Sequence, residues 1–238
     1  MQRLAPANLK LEERRTITAE YVCVFGMSKP IPSLLDGDMS AINDIDRSAL
    51  FFVTKGSTPA WFFVAKMDRV YCGDEIPRFT KKQMEEQVSE HGDFQFNAGI
   101  TLRDMLYTAT ELSYLPLEEA NHKIWTHNRI VCLGDSAHKM TPNMGQGLNQ
   151  AIEGAAVLTN CLLDMLRRTK GERVDIEQIE QTLRKYRESR EKRVQSFIDV
   201  SGLVTRDQAM PTLEHTLKFL FLPLPSSQLV AGKLVIKR

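Results

Sequence analysis

The chain has 238 residues, with 31 Lys and Arg against 30 Asp and Glu, a formal net charge of +1 and 42% hydrophobic residues. That is enough chain for a sizeable core, as one large domain or parts of two. The near-neutral balance supplies no global field to recruit nucleic acid or an anionic membrane. Four cysteines, Cys23, Cys72, Cys132 and Cys161, are widely spread and form no Cys-x-x-Cys pair, as suits free thiols in a reducing compartment. The opening Met1-Gln-Arg-Leu-Ala-Pro has no apolar core of a signal peptide, and no stretch reaches about 18 uninterrupted apolar residues. The expectation is an intracellular protein, cytoplasmic or peripherally attached to a membrane.

In chain order, residues 1–18 are polar and charged and suit a short helix leading into a strand. Ala19 to Phe25 is β-like and Gly26 punctuates it. Residues 27–48, with two prolines, a glycine and four aspartates, read as a long loop, either a lid or a surface excursion. Asp36, Asp38, Asp44 and Asp46 lack the register and closing glutamate of a calcium loop. Ala49–Thr54 and Trp61–Lys66, joined by Lys55-Gly-Ser-Thr-Pro59, form a hairpin pattern. With residues 19–25 they suggest an antiparallel sheet. Phe51, Phe52, Trp61, Phe62 and Phe63 read first as core, although alternation points one face of each strand elsewhere. Thr80 caps a helix ending near Gly92, and Thr101 to Ser113 reads as another short helix.

The centre of the chain is residues 129–158. The apolar run Ile130–Leu133 reads as a strand buried on both faces of a parallel sheet, punctuated by Gly134. Asp135 then falls where such a strand ends, the edge at which open α/β sheets bind ligands. Gly145 and Gly147 open an apolar-striped helix over 147–168, which places bare backbone N–H groups and a positive dipole end beside the same edge. His122, His127 and His138 have no metal-ligand spacing, and His138 reads as a structural hydrogen-bonder. A second helix over 174–200 spaces Ile176, Ile179, Leu183, Tyr186, Val194 and Phe197 along one face. Its basic run, Arg184 to Arg193, is interleaved with Glu188 and Glu191 and reads as a solvated face. The tail, with apolar stretches 217–225 and 229–236 broken by prolines, suits packing on the body or contact with a membrane.

Gly134-Asp135-Ser136-Ala137-His138, then Pro142, then Gly145-Gln146-Gly147-Leu148-Asn149, resembles the second flavin-binding motif of FAD-dependent aromatic-ring hydroxylases. Leu117-Glu118-Glu119, Trp125 and the continuation Lys139-Met140-Thr141-Pro142-Asn143 resemble one branch of that superfamily, the fungal monooxygenases of meroterpenoid and indole-diterpene pathways. The likeness runs from about Ala19 onward. It implies an α/β fold with an α+β substrate part: an antiparallel substrate-domain sheet, then a strand and long helices of the FAD domain. It divides the chain into a substrate-binding portion over 1–115, an FAD-binding portion over 116–200 and a tail over 201–238.

The resemblance also assigns roles. Asp135 would accept a hydrogen bond from a ribityl hydroxyl of FAD. Pro142, Met144 and Gly145 would lie along the isoalloxazine edge, and the N–H groups of Gly147, Leu148 and Asn149 would face N1 and O2, where negative charge grows on reduction. Tyr21 would stand near substrate, orienting a hydroxyl or carbonyl, unless it is core. The implied reaction uses NAD(P)H and O2 to epoxidise or hydroxylate a hydrophobic terpenoid or aromatic small molecule, with no role for nucleic acid. No Gly-x-Gly-x-x-Gly occurs in the sequence, whereas such enzymes carry one to cradle the ADP pyrophosphate. The chain therefore reads as the C-terminal half to two-thirds of such an enzyme, and a catalytically inactive remnant or a non-enzymatic partner of the same fold is the alternative.

Overall fold

The computed structural model describes residues 15–209 apart from 98 and 171, so the expectations for the first fourteen residues and for the apolar tail lie outside the described residues. The chain forms two compact units. Among the described residues one comprises Glu20–Arg69, Pro77–Pro116 and Arg206–Ala209. The other comprises Arg15–Ala19, Val70–Ile76 and Leu117–Thr205.

The first unit is a sheet backed by short helices. Its strands are β1 (Thr18–Ser28), β2 (Met39–Asp44), β3 (Arg47–Thr54), β4 (Thr58–Cys72) and β7 (Ala109–Asn121), in the order β7-β1-β4-β3-β2. β5 (Gln95–Asn97) and β6 (Ile100–Thr101) form a separate small ladder. β3 pairs antiparallel with both β2 and β4. The β3–β4 turn puts Gly56 at φ 84° and Ser57 at φ 55°, the left-handed pair that matches strand twist in a tight hairpin. Asp36 holds that turn by accepting from the N–H groups of Gly56 (3.1 Å) and Ser57 (2.7 Å), and these bonds hold its carboxyl below the ordinary range. Residues 27–48 are thus only partly loop: 39–44 form β2, and the β2–β3 turn is made by Ile45 and Asp46, the latter at φ 58°. A non-glycine residue in the left-handed region hid this hairpin from the sequence.

Alternation sends Val22, Val24, Phe51, Val53, Trp61 and Phe63 to one face, where they pack with Met84 and Val88 of α1 (Lys81–Glu90) and Leu102 and Met105 of α2 (Leu102–Tyr107). Thr80 caps α1 as expected, its Oγ1 accepting from Gln83 N–H while the Gln83 side chain accepts from Thr80 N–H. Thr101 and Asp104 build the same box on α2. The helix expected over 101–113 stops at Tyr107, because Thr108 ends it and Ala109 onward extends as β7. Gly26 does not end β1 either. It lies inside the strand beneath Trp61, whose Nε1–H donates to Ser28 Oγ at 3.0 Å. The opposite sheet face carries Tyr21, Cys23 and Phe25 of β1 with Leu50, Phe52 and Phe62. The Phe25 and Phe62 rings are 4.9 Å apart between centroids and Phe52 and Phe62 6.4 Å.

The second unit is mainly helical. α3 (Gly147–Arg168) and α4 (Ile176–Gln208, in this unit as far as Thr205) pack around Trp125, Ala137, Cys161, Tyr186, Val194 and Ile198. β10 (His138–Lys139) pairs antiparallel with the end of β7, His138 opposite Asn121. The strand expected over 129–133 is only β9 (Ile130–Val131), antiparallel to β8 (Thr126–His127). Ile130 is 48% exposed there. Asn128, at φ 51°, closes this tight ladder, and Leu133 already caps the following turn, so the apolar run cannot continue as a doubly buried strand. Among the described residues no helix is long and apolar enough to cross a membrane.

Candidate functional site

Chemistry-bearing residues of the second unit gather on the segment from Leu133 to Asn149. The chain leaves Leu133 in a single 3₁₀ turn, Gly134–Ser136, in which Leu133 N–H donates to Ser136 Oγ and Ser136 Oγ–H donates back to the Leu133 carbonyl. Gly134 sits at φ 57°, and a Cβ there would come 3.1 Å from Ala151 Cβ. On the next helical turn a Cβ at Gly154 would reach 2.9 Å from Leu133 Cδ1. Two small contacts thus seat the Asp135 turn against α3, and Asp135 itself is exposed.

A second 3₁₀ turn, Pro142–Met144, starts on proline, whose fixed φ suits that position. Gly145 ends it at φ 62°, its N–H donating to the Pro142 carbonyl at 2.8 Å. The turn is pinned to α4, because Thr205 Oγ1 lies 2.7 Å from Thr141 Oγ1 and 2.8 Å from Asn143 Oδ1. Gln146 then occupies the N-cap of α3 without a side-chain cap, and Gln150 N–H makes a bond of 2.9 Å to its carbonyl. The N–H groups of Gly147, Leu148 and Asn149 belong to the first turn, where helix geometry supplies no intrahelical acceptor. A Cβ at Gly145 or Gly147 would meet nothing within 4 Å, and the Leu148 side chain is 73% exposed. Met144 lines an adjoining groove of about 470 Å³ with Lys192, Arg193, Ser196, Phe197 and Val200.

Two buried polar residues stand behind this surface. His138 is 1% exposed, its ring 5.5 Å from that of Trp125. Neither ring nitrogen has a hydrogen-bond partner in another described residue. Burial, assisted by the Arg190 charge and opposed by Asp135, pushes its pKa below the ordinary histidine value. Arg190 is also 1% exposed. It falls on the α4 stripe Leu183, Tyr186, Arg190, Val194, Ile198, all buried, so the basic run 184–193 is not uniformly solvated. The missed signal was there in the spacing: position 190 continues the apolar stripe.

Asp135, Pro142, Met144, Gly145, Gly147, Leu148 and Asn149 therefore lie together in one unit, while Tyr21 belongs to the other, where it is 1% exposed. Among the described residues no group of three or more His, Cys, Asp or Glu could hold a metal. An exposed carboxylate acceptor, an open glycine-bounded turn and a helix N-terminus fit the ribityl chain and ring of a flavin. The donors suit a ring that gains electron density, and the missing Cβ atoms leave room for its approach.

The chain is similar to known flavin proteins. Residues 69–201 match the family model described as FAD binding domain. The chain is 40% identical over 213 residues to FAD-dependent monooxygenase verC1 of Penicillium polonicum, covering 89% of this chain and 26% of that one. It is 39% identical over 220 residues to FAD-dependent monooxygenase ptmM of Penicillium ochrochloron, covering 91% and 51%. The chain thus spans about half or less of the length of these relatives. Among solved structures, tetracycline destructase Tet(55) matches with a TM-score of 0.64 at 15% identity over 91% of this chain and 53% of that one. A single-substitution variant of HpxO of Klebsiella pneumoniae, complexed with FAD, matches at 0.60 and 18%, over 84% and 48%. These neighbours share the fold. The homologues are fungal FAD-dependent monooxygenases, and the chain belongs to the FAD binding domain family.

Proposed function

We propose that this chain carries the flavin-ring half of an FAD-dependent monooxygenase that oxidises a hydrophobic terpenoid or aromatic small molecule with O2 and NAD(P)H. The observation that carries this is the pairing of exposed Asp135, on a turn seated against α3, with the open first-turn amides of that helix. Asp135 would accept from a ribityl hydroxyl, fixing the position of the ring rather than its electronics. Pro142, Met144 and Gly145 would border the ring, and the amides of Gly147, Leu148 and Asn149 would donate toward its electron-rich edge. When bound, reduced FAD supplies the activation of O2 and the transfer of one oxygen atom.

The apolar sheet face of the first unit, Phe25, Leu50, Phe52 and Phe62, offers flat area for a hydrophobic substrate. Tyr21 lies on the same strand face at 1% exposure and would orient a substrate hydroxyl or carbonyl only if a local side-chain shift uncovers it. The test is oxygen transfer by the 238-residue chain saturated with FAD, given NADH or NADPH, ¹⁸O2 and prenylated aromatic or terpenoid substrates. Label in the product supports the reading. A folded chain that binds FAD yet transfers no label with either nicotinamide rejects the monooxygenase reading in favour of a flavin-binding remnant.

A further inference from the structure

We infer that Arg190 is a positioning residue for the α3 anion site: buried on α4, it fixes the first turn of α3 and strengthens that turn's open amides as receptors for negative charge. The inference rests on reading those amides as the contact for the electron-rich edge of the flavin.

The geometry is a relay. Arg190 Nη2–H donates to Gln150 Oε1 at 2.8 Å and to the Gln150 carbonyl at 3.3 Å. Gln150, 2% exposed, in turn donates through its Nε2 to Gln146 Oε1 at 3.5 Å and through its backbone N–H to the Gln146 carbonyl at 2.9 Å. A buried guanidinium thus holds the N-cap residue of α3 through one intermediary. Arg190 Nη1 also lies 2.5 Å from Glu153 Oε1. That same oxygen accepts from Arg193 Nε at 2.7 Å, so two cations share one carboxylate.

Arg190 meets α3 at Gln150, just past the first turn, and at Glu153, one turn further on. Cations are favourable at helix C-termini and unfavourable at N-termini, where the dipole is already positive. Burial makes the charge harder still to accommodate. The Nε of Arg190 lacks a hydrogen-bond partner among the described residues, so the guanidinium is not there to satisfy its own donors completely. Two guanidiniums on one carboxylate, Arg190 buried and Arg193 exposed, leave a net positive charge behind uncapped amides, and that suits a site completed by negative charge from outside.

The test needs no cofactor. Base-catalysed hydrogen exchange passes through an amide anion, so a nearby positive charge speeds it. Exchange at Gly147, Leu148 and Asn149 would be followed in the 238-residue chain and in Arg190→Met, Arg190→Lys and Glu153→Gln. Expected are roughly three- to ten-fold slower exchange in Arg190→Met, near wild-type exchange in Arg190→Lys, and faster exchange in Glu153→Gln with the mid-helix amides of α3 unchanged. A purely structural role gives the opposite sign for Arg190→Met, because a loosened turn exchanges faster. That result, or no response in Glu153→Gln, overturns the inference. Glu153 is partly exposed, so this variant keeps the test open if Arg190→Met does not fold. FAD titration of the same proteins separates the two readings: amides that respond in a chain that takes up no FAD leave the electrostatic role standing and remove the cofactor assignment.

Discussion

A Cβ at Gly26 would stand 2.2 Å from Trp61 Cζ2, with the indole lying flat over the strand where a side chain would be. Trp61 is 0% exposed, and its Nε1–H donates to Ser28 Oγ, whose own hydroxyl donates to the Met105 carbonyl at 2.7 Å. The indole is therefore pinned at both its ring face and its donor and cannot swing away. Gly26→Ala is expected to destabilise the first unit by about 1–3 kcal/mol through overpacking, measured by urea denaturation with tryptophan fluorescence. An unchanged midpoint would mean that the core repacks freely around Trp61.

Thiol chemistry separates Cys23 from Cys72 and Cys132. Burial pushes the Cys23 thiol up to about 12, so at pH 8 roughly one molecule in ten thousand carries the thiolate that alkylating reagents attack. Cys72 and Cys132 are half-buried. Brief maleimide treatment of the native protein, read by peptide mass spectrometry, should label Cys72 and Cys132 and spare Cys23 until denaturant is added. Rapid native labelling of Cys23 would contradict the packing of β1.

His138 gives the fold an acid-sensitive component. Its pKa is lowered on folding, so the unfolded chain binds more protons between the folded and unfolded values. Stability from this residue is complete above the ordinary histidine value near 6.5 and falls as pH drops from there toward the lower folded value. His91, lowered mainly by burial and by the Arg47 charge, acts in the same direction. The melting temperature should decline from pH 7 to pH 5, and His138→Gln should make that decline shallower. Equal slopes in both proteins would mean that His138 is not buried neutral.

Much of this was legible in the sequence, because local chemistry decides it. α3 occupies the expected 147–168 because two glycines open it and an apolar stripe continues it, and Thr80 signals its helix through a capping box. The segment from Asp135 to Asn149 was identifiable because its glycines and proline mark turns that any fold must respect. What the sequence concealed depends on partners distant in the chain. β2 was hidden because Asp46 turns the chain at positive φ without a glycine. α2, at six residues, is too short to betray where the helix gives way to β7 at Ala109. Arg190 looked like one more solvated cation until Gln150 and Glu153 of α3 were seen around it.

If Asp135 and the first turn of α3 hold the flavin as proposed, the 238-residue chain binds FAD in a direct titration. Saturable quenching of flavin fluorescence is expected. Asp135→Ala should weaken binding roughly ten- to hundred-fold, the loss of one hydrogen bond to a charged acceptor at about 1.5–3 kcal/mol. Its melting temperature should not move, because Asp135 is exposed. A folded chain that binds no FAD, or an Asp135→Ala variant that binds it as tightly as the wild type, would mean that Asp135 and this turn do not hold the flavin.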